Sequence, residues 1–497
     1  MLYNLLLAIY FIGTVLGLWL VFKKAGIAPW KSLVPIYNIV VWIRMCNKKW
    51  SWYIWFLIPG INIFMFLLMV QETARVFRRY NFWEQLLAVL FPWVYLPWLG
   101  LNQKAEYHDP HVDPPKKVSE GRDWAEAIVF AIIAAVIIRG NVFELYGIPS
   151  SSMEKSLLVG DHLLVSKMAY GPRVAITPLS LPLIHNTIPG TQDKVESYLK
   201  WIQLPYHRYP GYTHIKRFDA VVFNFPEGDT TLNASPTNLI TYYEAQNMKD
   251  RALLNEGYRV RPVDKRQNYI KRCIGMPGDD LQIINRTVYI NGSELTLPKD
   301  AQFKYFPIFR DGTNVARLLE NYGVSMEDIY RFSQGDGLPL TMAQYNSLTQ
   351  SDHIISLEPY AYEDISQGIR MFPHTADNSW TVNNYGPVHI PAKGEVLQLN
   401  DSTLPFYHRI ITAYEGNTLE VRDGNIYING EQTETYTCRQ NYYWMMGDSR
   451  HNSQDSRFWG YVPEDHISGK ARWILWSWDK EHKKLRWGRT LRDASAY

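Results

Sequence analysis

Ile148-Pro149-Ser150-Ser151-Ser152-Met153 stands where this 497-residue chain changes texture. Ahead of it lie long apolar runs. After Gly140 the helical periodicity stops, and short alternations of apolar and β-branched residues appear between turn signals, the pattern of a β-rich domain. A serine-rich loop is usually only a loop, so the weight of this one depends on what surrounds it.

Upstream, residues 5–22 are 18 consecutive positions without a charge, about the length that crosses ~30 Å of hydrocarbon. The basic leader region and small-x-small site of a cleaved signal peptide are not visible there. Further apolar stretches run over about 51–70, broken by Pro59 and Gly60, over 82–101, and over 124–138. The expectation is an α-helical membrane section: residues 1–123 with about three spans and cytoplasmic loops, then a final anchor helix and exit strand over 124–147. Lys23, Lys24, Lys31, Arg44, Lys48 and Lys49, with no acidic residue among them, place the first loop in the cytoplasm. Four spans then put everything after Gly140 outside. Lys104, Lys116, Lys117 and Arg122 agree with this, whereas Arg75, Arg78 and Arg79 run against it. The 18 Trp and 33 Tyr suit a membrane interface or, alternatively, an aromatic-rich core. His108, Asp109, His111 and Asp113 stand among Pro110, Pro114 and Pro115 and read as a polar linker, so no metal is expected.

Downstream, Val288-Tyr289-Ile290-Asn291-Gly292 and Ile426-Tyr427-Ile428-Asn429-Gly430 nearly repeat one another. Each Asn-Gly step supplies the positive φ angles of a tight hairpin, and Asp423-Gly424 offers another. Residues 172–214, rich in Pro, Tyr and His, and about 301–375, with helix-like patches at 315–322 and 326–332, read as insertions on the β scaffold. The 51 Lys and Arg against 48 Asp and Glu leave a net charge of +3, which excludes nucleic acid as an expected partner. Cys46, Cys273 and Cys438 are too few for a zinc site or a disulfide framework, although Cys273 and Cys438 could pair in an oxidising compartment.

Three further segments change the weight of the serine loop. They are Gly160-Asp161-His162-Leu163-Leu164-Val165-Ser166-Lys167, Tyr269-Ile270-Lys271-Arg272-Cys273-Ile274-Gly275-Met276-Pro277-Gly278-Asp279 and Gly447-Asp448-Ser449-Arg450-His451-Asn452-Ser453-Gln454-Asp455-Ser456-Arg457. With 148–153 they occur in the order and character of the boxes of bacterial signal peptidase I, and the chain resembles that Ser/Lys-dyad family. Lys216-Arg217-Phe218-Asp219-Ala220-Val221-Val222-Phe223 is a weaker fifth match, with Phe218 where Gly is usual. Two other departures stand out. Met153-Glu154-Lys155-Ser156-Leu157 replaces the family's Met-x-Pro-Thr-Leu, and Gly447-Asp448-Ser449-Arg450 replaces Gly-Asp-Asn-Arg. The resemblance implies a mainly β catalytic domain over 148–497: a signal-peptidase-like β core with an inserted second β region and helical insertions, preceded by the membrane section. The residues by themselves support only a β-rich domain.

By the same resemblance Ser152 is the nucleophile and Lys271 its general base. A serine hydroxyl must lose its proton as it attacks, so a base has to lie within hydrogen-bond reach. A lysine in water titrates near about 10.4 and can serve only if desolvation favours its neutral form. Tyr269, Ile270, Cys273, Ile274 and Met276 offer the apolar wall for that. The resemblance further implies Ser453 as the residue that orients the lysine, Ser150 as an oxyanion-hole donor, and Asp455, Arg457, Asp448, Arg450 and Arg272 as structural supports. Ile148, Pro149, Met153, Leu157, Tyr269 and Ile270 are the implied walls of shallow substrate pockets. No cofactor is implied.

The implied activity is removal of signal peptides from exported precursors after small residues of the Ala-x-Ala type, with the substrate bound as an added strand. The implied partners are those precursors and the lipid bilayer, with the protein translocation machinery as a further candidate. The implied location is the bacterial inner membrane, multi-pass, with the catalytic domain on the periplasmic face. A soluble self-cleaving repressor would share the chemistry but not the apolar spans. A transporter would need more intramembrane ionisable residues than Glu126. The alternative kept open is an inactive membrane scaffold of the export machinery, against which stands the presence of Ser152, Lys271 and Ser453 together.

Overall fold

The apolar run that opens the chain forms helix α1 (Leu2–Lys24). Five shorter helices follow: α2 (Tyr37–Met45), α3 (Ser51–Leu57), α4 (Ile61–Val76), α5 (Phe82–Leu90) and α6 (Pro92–Leu101). A longer one, α7 (Glu120–Asn141), ends two positions before the first strand. The tertiary structure is a computed structural model that describes residues 2–57, 61–115, 120–182, 184–191, 195–228, 230–232, 258–360, 371–375, 379–480 and 482–496. It divides into two units, Met1–Arg139 and Gly140–Tyr497.

In the first unit α1 lies directly against α6. A β-carbon on Gly17 would sit 2.4 Å from Leu96 Cβ, and one on Gly100 would sit 2.3 Å from Leu20 Cβ, so only glycine permits this approach. Close backbone contact through small residues is the usual way helices associate where no water drives them together. The Lys24 amine then donates to the carbonyls of Leu99, Asn102 and Ala105 at 3.1, 2.5 and 2.9 Å, closing the C-terminal end of α6. Val21, Phe22, Trp42, Ile43, Met69, Val70, Leu96 and Leu99 make the core of the unit.

The described helices lend the four-span expectation no support. Among the described residues no helix is long and apolar enough to cross a membrane. The expected second stretch is divided between α3 and α4, with its Pro59-Gly60 break outside the described residues. The third is divided at Phe91, whose φ of −131° and ψ of 56° leave the helix. The residue before a proline is pushed out of the α region, and Pro92 starts α6 where its missing N–H costs nothing. At 1.5 Å per residue, the ten residues of α6 reach only about 15 Å. Several side chains of α1 and α7, that of Glu126 included, fall outside the described set.

The second unit is built on one large antiparallel sheet. Its main strands are β1 (Phe143–Gly147), β2 (Asp161–Ser166), β3 (Ala220–Asn224), β4 (Asn268–Gly275), β5 (Tyr442–Met446), β6 (Val462–Pro463) and β7 (Ile467–Asp479). They are ordered β1-β2-β7-β3-β4-β5-β6, so strands far apart in sequence lie side by side. Val221 is paired with Lys271, and Met446 with Arg272. The alternation of β2, with Asp161, Leu163 and Val165 inward, feeds a core shared with Ile148, Met153, Leu157, Val222 and Ile474.

A second β region follows β4. Asp280–Ile284, Thr287–Ile290 and Ser293–Glu294 form a sheet with Tyr385–His389, and Leu419–Arg422, Asn425–Ile428 and Glu431–Gln432 form another. The two near-repeats occupy equivalent turns. Asn291 and Gly292 have φ of 52° and 77°, Asn429 and Gly430 have 54° and 87°, as the Asn-Gly steps require. The insertion after 301 is a folded α/β subdomain. Strands Gln302–Phe309, Leu338–Thr341 and Ile354–Pro359 pair beside helices Val315–Asn321, Met326–Ser333 and Met342–Thr349, over a core that includes Leu319, Leu338 and Leu348. Asn314, Ser325 and Thr341 cap the three helices, so the polar starts of the helix-like patches were sequence-coded. The insertion over 172–214 has no helix or named strand among its described residues and is tied down by Arg173 to Asn224 and by Arg208 to the Gly171 carbonyl, both at 2.8 Å. Cys273 and Cys438 are both free and buried.

Candidate active site

Phe143–Gly147 delivers the chain to Ile148, which turns inward, and Ser151–Met153 then make a single tight helical turn. Met153 and Leu157 plug that turn into the core, at 1% and 0% exposure, and leave Ser152 at the surface of a cleft of about 470 Å³. Lys271 comes from the middle of β4, on the neighbouring wall. Its amine donates to Ser152 Oγ at 2.5 Å.

Lys271 is 3% exposed. Burial drives its pKa down to about 8, against the pull of the Asp455 and Asp448 carboxylates toward the charged form. A useful fraction is therefore neutral near neutral pH, and the hydrogen bond that the ammonium makes to Ser152 becomes, for the neutral amine, a path for the hydroxyl proton.

The loop after β5 frames the pair from below. Gly447 N–H donates to Asp455 Oδ2 at 3.1 Å, and Arg457 grips the same carboxylate through Nε at 2.9 Å and Nη2 at 2.8 Å. Burial alone would raise the Asp455 carboxyl, but the Arg457 guanidinium, the Gly447 amide and the Lys271 charge hold it below the usual range. Asp448 receives Arg272 as a fork, Nε to Oδ1 at 2.8 Å and Nη2 to Oδ2 at 2.6 Å, with both partners buried. Arg450 is buried and donates through Nη1 to Met446 Sδ at 3.3 Å. Ser449 N–H donates to the Ser152 carbonyl at 3.1 Å, so the loop touches Ser152 itself.

The structure brings Ile148, Pro149, Ser150, Ser152, Tyr269, Ile270 and Lys271 to one cleft. Ser150 is exposed there, with extended backbone. Met153 and Leu157 are not on its lining but in the core beneath it. Ser453 Oγ is buried without a hydrogen-bond partner among the described residues, and the lysine amine bonds to Ser152 instead. Sequence reasoning missed Tyr146, Gln267, Asn268, Asn452 and Gln454, which also line the cleft. Asn452 and Gln454 flank Ser453 in a segment the resemblance already marks, whereas Tyr146 lies outside the marked segments.

Comparisons with known proteins bear on this arrangement. The family model described as "Signal peptidase, peptidase S26" matches residues 121–337 and 431–476. A family of unknown function, DUF5684, matches residues 30–110. The signal peptidase I of Haemophilus influenzae is 25% identical over 365 residues, 73% of this chain and 72% of that protein. That of Buchnera aphidicola subsp. Schizaphis graminum is 24% identical over 349 residues, 70% of this chain and 72% of the relative. A shorter match to the signal peptidase I of Aquifex aeolicus reaches 60% identity over 42 residues, 8% of this chain and 16% of that protein.

Proposed function

Because the chain belongs to the peptidase S26 signal peptidases, serine endopeptidases by class, we propose that it removes signal peptides from exported precursors by a Ser152/Lys271 dyad. The observation that carries this reading is the 2.5 Å contact between Ser152 Oγ and the buried Lys271 amine at the edge of an apolar cleft. The neutral amine takes the Ser152 proton as the oxygen attacks the scissile carbonyl, and returns it to the leaving amine. Water then enters, and the same amine activates it against the acyl-enzyme. Ser150 Oγ and the Ser152 N–H receive the oxyanion, a contribution of about 10² to 10³ in rate for one such donor. Ser453, which makes no bond to the lysine here, is the residue the family resemblance assigns to orienting it. Asp455, Arg457, Asp448, Arg450 and Arg272 keep the framing loop in place. Ile148, Pro149, Tyr269 and Ile270 limit the substrate to small side chains by bulk.

The enzyme works at the bacterial inner membrane, on precursors emerging from the translocation machinery at its outer face. Support comes from exposed apolar surface in both units: Leu5, Ile9, Phe11, Ile12 and Leu16 on α1, and Trp473, Trp476, Trp478 and Trp487 on and after β7. The test is cleavage of a purified Ala-x-Ala precursor by detergent-solubilised protein. Wild type should cut at that site, while folded Ser152→Ala and Lys271→Ala should not. No cleavage by folded wild type across several precursors would favour the inactive scaffold.

A further inference from the structure

Asn452 joins two segments 301 positions apart. Its Nδ2 donates to Ser151 Oγ at 2.7 Å, and its own N–H donates to the Ser449 carbonyl at 3.0 Å. With the Ser449 N–H on the Ser152 carbonyl, the framing loop thus bonds to both Ser151 and Ser152. His451 fixes the same loop from its other side. Its Nδ1 accepts from Lys304 N–H at 3.2 Å, and its Nε2 meets Asn383 Oδ1 at 2.9 Å, the pairing of one neutral tautomer. Burial and the surrounding Arg457, Arg286, Lys304 and Arg450 push this imidazole down to about 2, so it stays neutral.

We propose that Asn452 is a positioning residue for the nucleophile, holding Ser152 Oγ on the Lys271 amine through its bond to Ser151. This rests on the Ser152/Lys271 reading above. Besides the Ser449 N–H on its own carbonyl, Ser152 is held through its two neighbours. Met153 on one side is sealed in the core, and Ser151 on the other is tied only through its hydroxyl among the side-chain contacts described. Removing the Asn452 amide leaves only backbone bonds on that side of the turn, which loosens it, lengthens the contact to Lys271 and lets water reach an amine that desolvation keeps reactive. A displacement of about 1 Å at a reacting atom costs about 10²-fold in rate.

The experiment is steady-state cleavage of a precursor over a range of pH by wild type, Asn452→Ala, Asn452→Asp, Ser151→Ala, the Ser151→Ala/Asn452→Ala double variant and Ser152→Ala, with thermal melts of each. Each single alanine change at 151 or 452 should lower kcat about ten- to a hundred-fold and leave KM within about two-fold. The double variant should be no slower than the slower single, since one bond is lost either way. The acid limb of kcat/KM should move to higher pH, because a better-hydrated lysine holds its proton longer. The Asn452→Asp variant keeps the side-chain shape and can accept from the Ser151 hydroxyl instead of donating to it, so it should lose less kcat than the alanine variant. Losses that multiply in the double variant, or singles that melt lower yet keep wild-type kcat and pH profile, overturn the proposal. If Asn452→Ala fails to fold, Ser151→Ala alone decides it by the same readouts. Cleavage that persists in Ser152→Ala would instead sink the dyad reading and this proposal with it, while a silent Ser152→Ala beside unaffected 151 and 452 variants would sink this proposal alone.

Discussion

Gly447 and Ser453 share a space that admits no further atom. A β-carbon at position 447 would lie 2.2 Å from Ser453 Oγ, and 2.6 Å from the Ser152 carbonyl oxygen. The Ser453 hydroxyl can rotate away, but the Ser152 carbonyl cannot shift without moving Ser152. Gly447→Ala is therefore expected to lose about 10²-fold in kcat and about 1–3 kcal/mol of stability through overpacking. Precursor cleavage and denaturant unfolding of the same preparation check both. An alanine variant as active as wild type would show that the loop and the nucleophile turn are not packed as described.

Lys155 occupies the position where the family commonly has proline, and here its φ is +71°. Proline is held near −65° and cannot adopt that conformation. Its amine also reaches the inserted subdomain, donating to the Gly323 carbonyl at 3.1 Å. Lys155→Pro, although it restores the family pattern, should cost more than about 1 kcal/mol and disturb Ser152 three positions earlier. Lys155→Gly should melt at or above the wild-type temperature, because glycine takes positive φ without strain. The reverse ranking of the two melts would refute the backbone argument.

Much of the cleft lining was legible in the sequence because Ile148, Pro149, Ser150, Ser152, Tyr269, Ile270 and Lys271 lie in contiguous boxes. Ser152, Lys271 and Asp455 each sit in a short segment, and the family resemblance of those segments is what suggests their proposed roles. Phe218 shows how a departure can hide continuity. Where glycine is usual, this phenylalanine keeps a left-handed φ of +70°, supported by its N–H on the Cys273 carbonyl and by Arg272 on its own carbonyl. What the sequence did not reveal is long-range. The strand order that puts β7 between β2 and β3, the clasp of Gln302 on Asp448 and Arg450, and the bond of Asn452 to Ser151 all join residues whose separation no local pattern encodes. Pro92 is the opposite case. Its effect on Phe91 is local and readable, although the unbroken apolar run around it masks the break.

Under the proposed dyad the Lys271 amine, at about 8, should set the acid limb of the reaction. Only its neutral form accepts the Ser152 proton, so kcat/KM should rise with pH through about 8 and fall tenfold per unit below. The Asp455 carboxylate is the largest pull on that amine toward its charged form. Asp455→Asn should move the limb to lower pH, while breaking the buried pair with Arg457 should lower stability by about 3–5 kcal/mol. The pH profile of kcat/KM separates the two effects. A limb that stays in place or moves upward would show that Asp455 acts on Lys271 through structure alone.

His389 gives a pH signature away from the active site. Its Nδ1 faces Asp280 Oδ1 at 2.7 Å and its Nε2 faces Glu395 Oε1 at 2.6 Å, so both ring nitrogens donate only when the ring is charged. Partial burial lowers its affinity for a proton, but the two carboxylates outweigh it, and the pKa is raised. A raised folded-state value means the proton is held more tightly in the native protein than in the unfolded chain. The contribution is then complete below the unfolded value of about 6.5 and is lost as pH rises through the folded one. His389→Gln should be less stable than wild type in urea below about pH 6.5, and the gap should close once pH exceeds the folded value. A gap that is constant with pH would assign the histidine to packing, and one that widens with pH would mean the two carboxylates do not hold a charged ring.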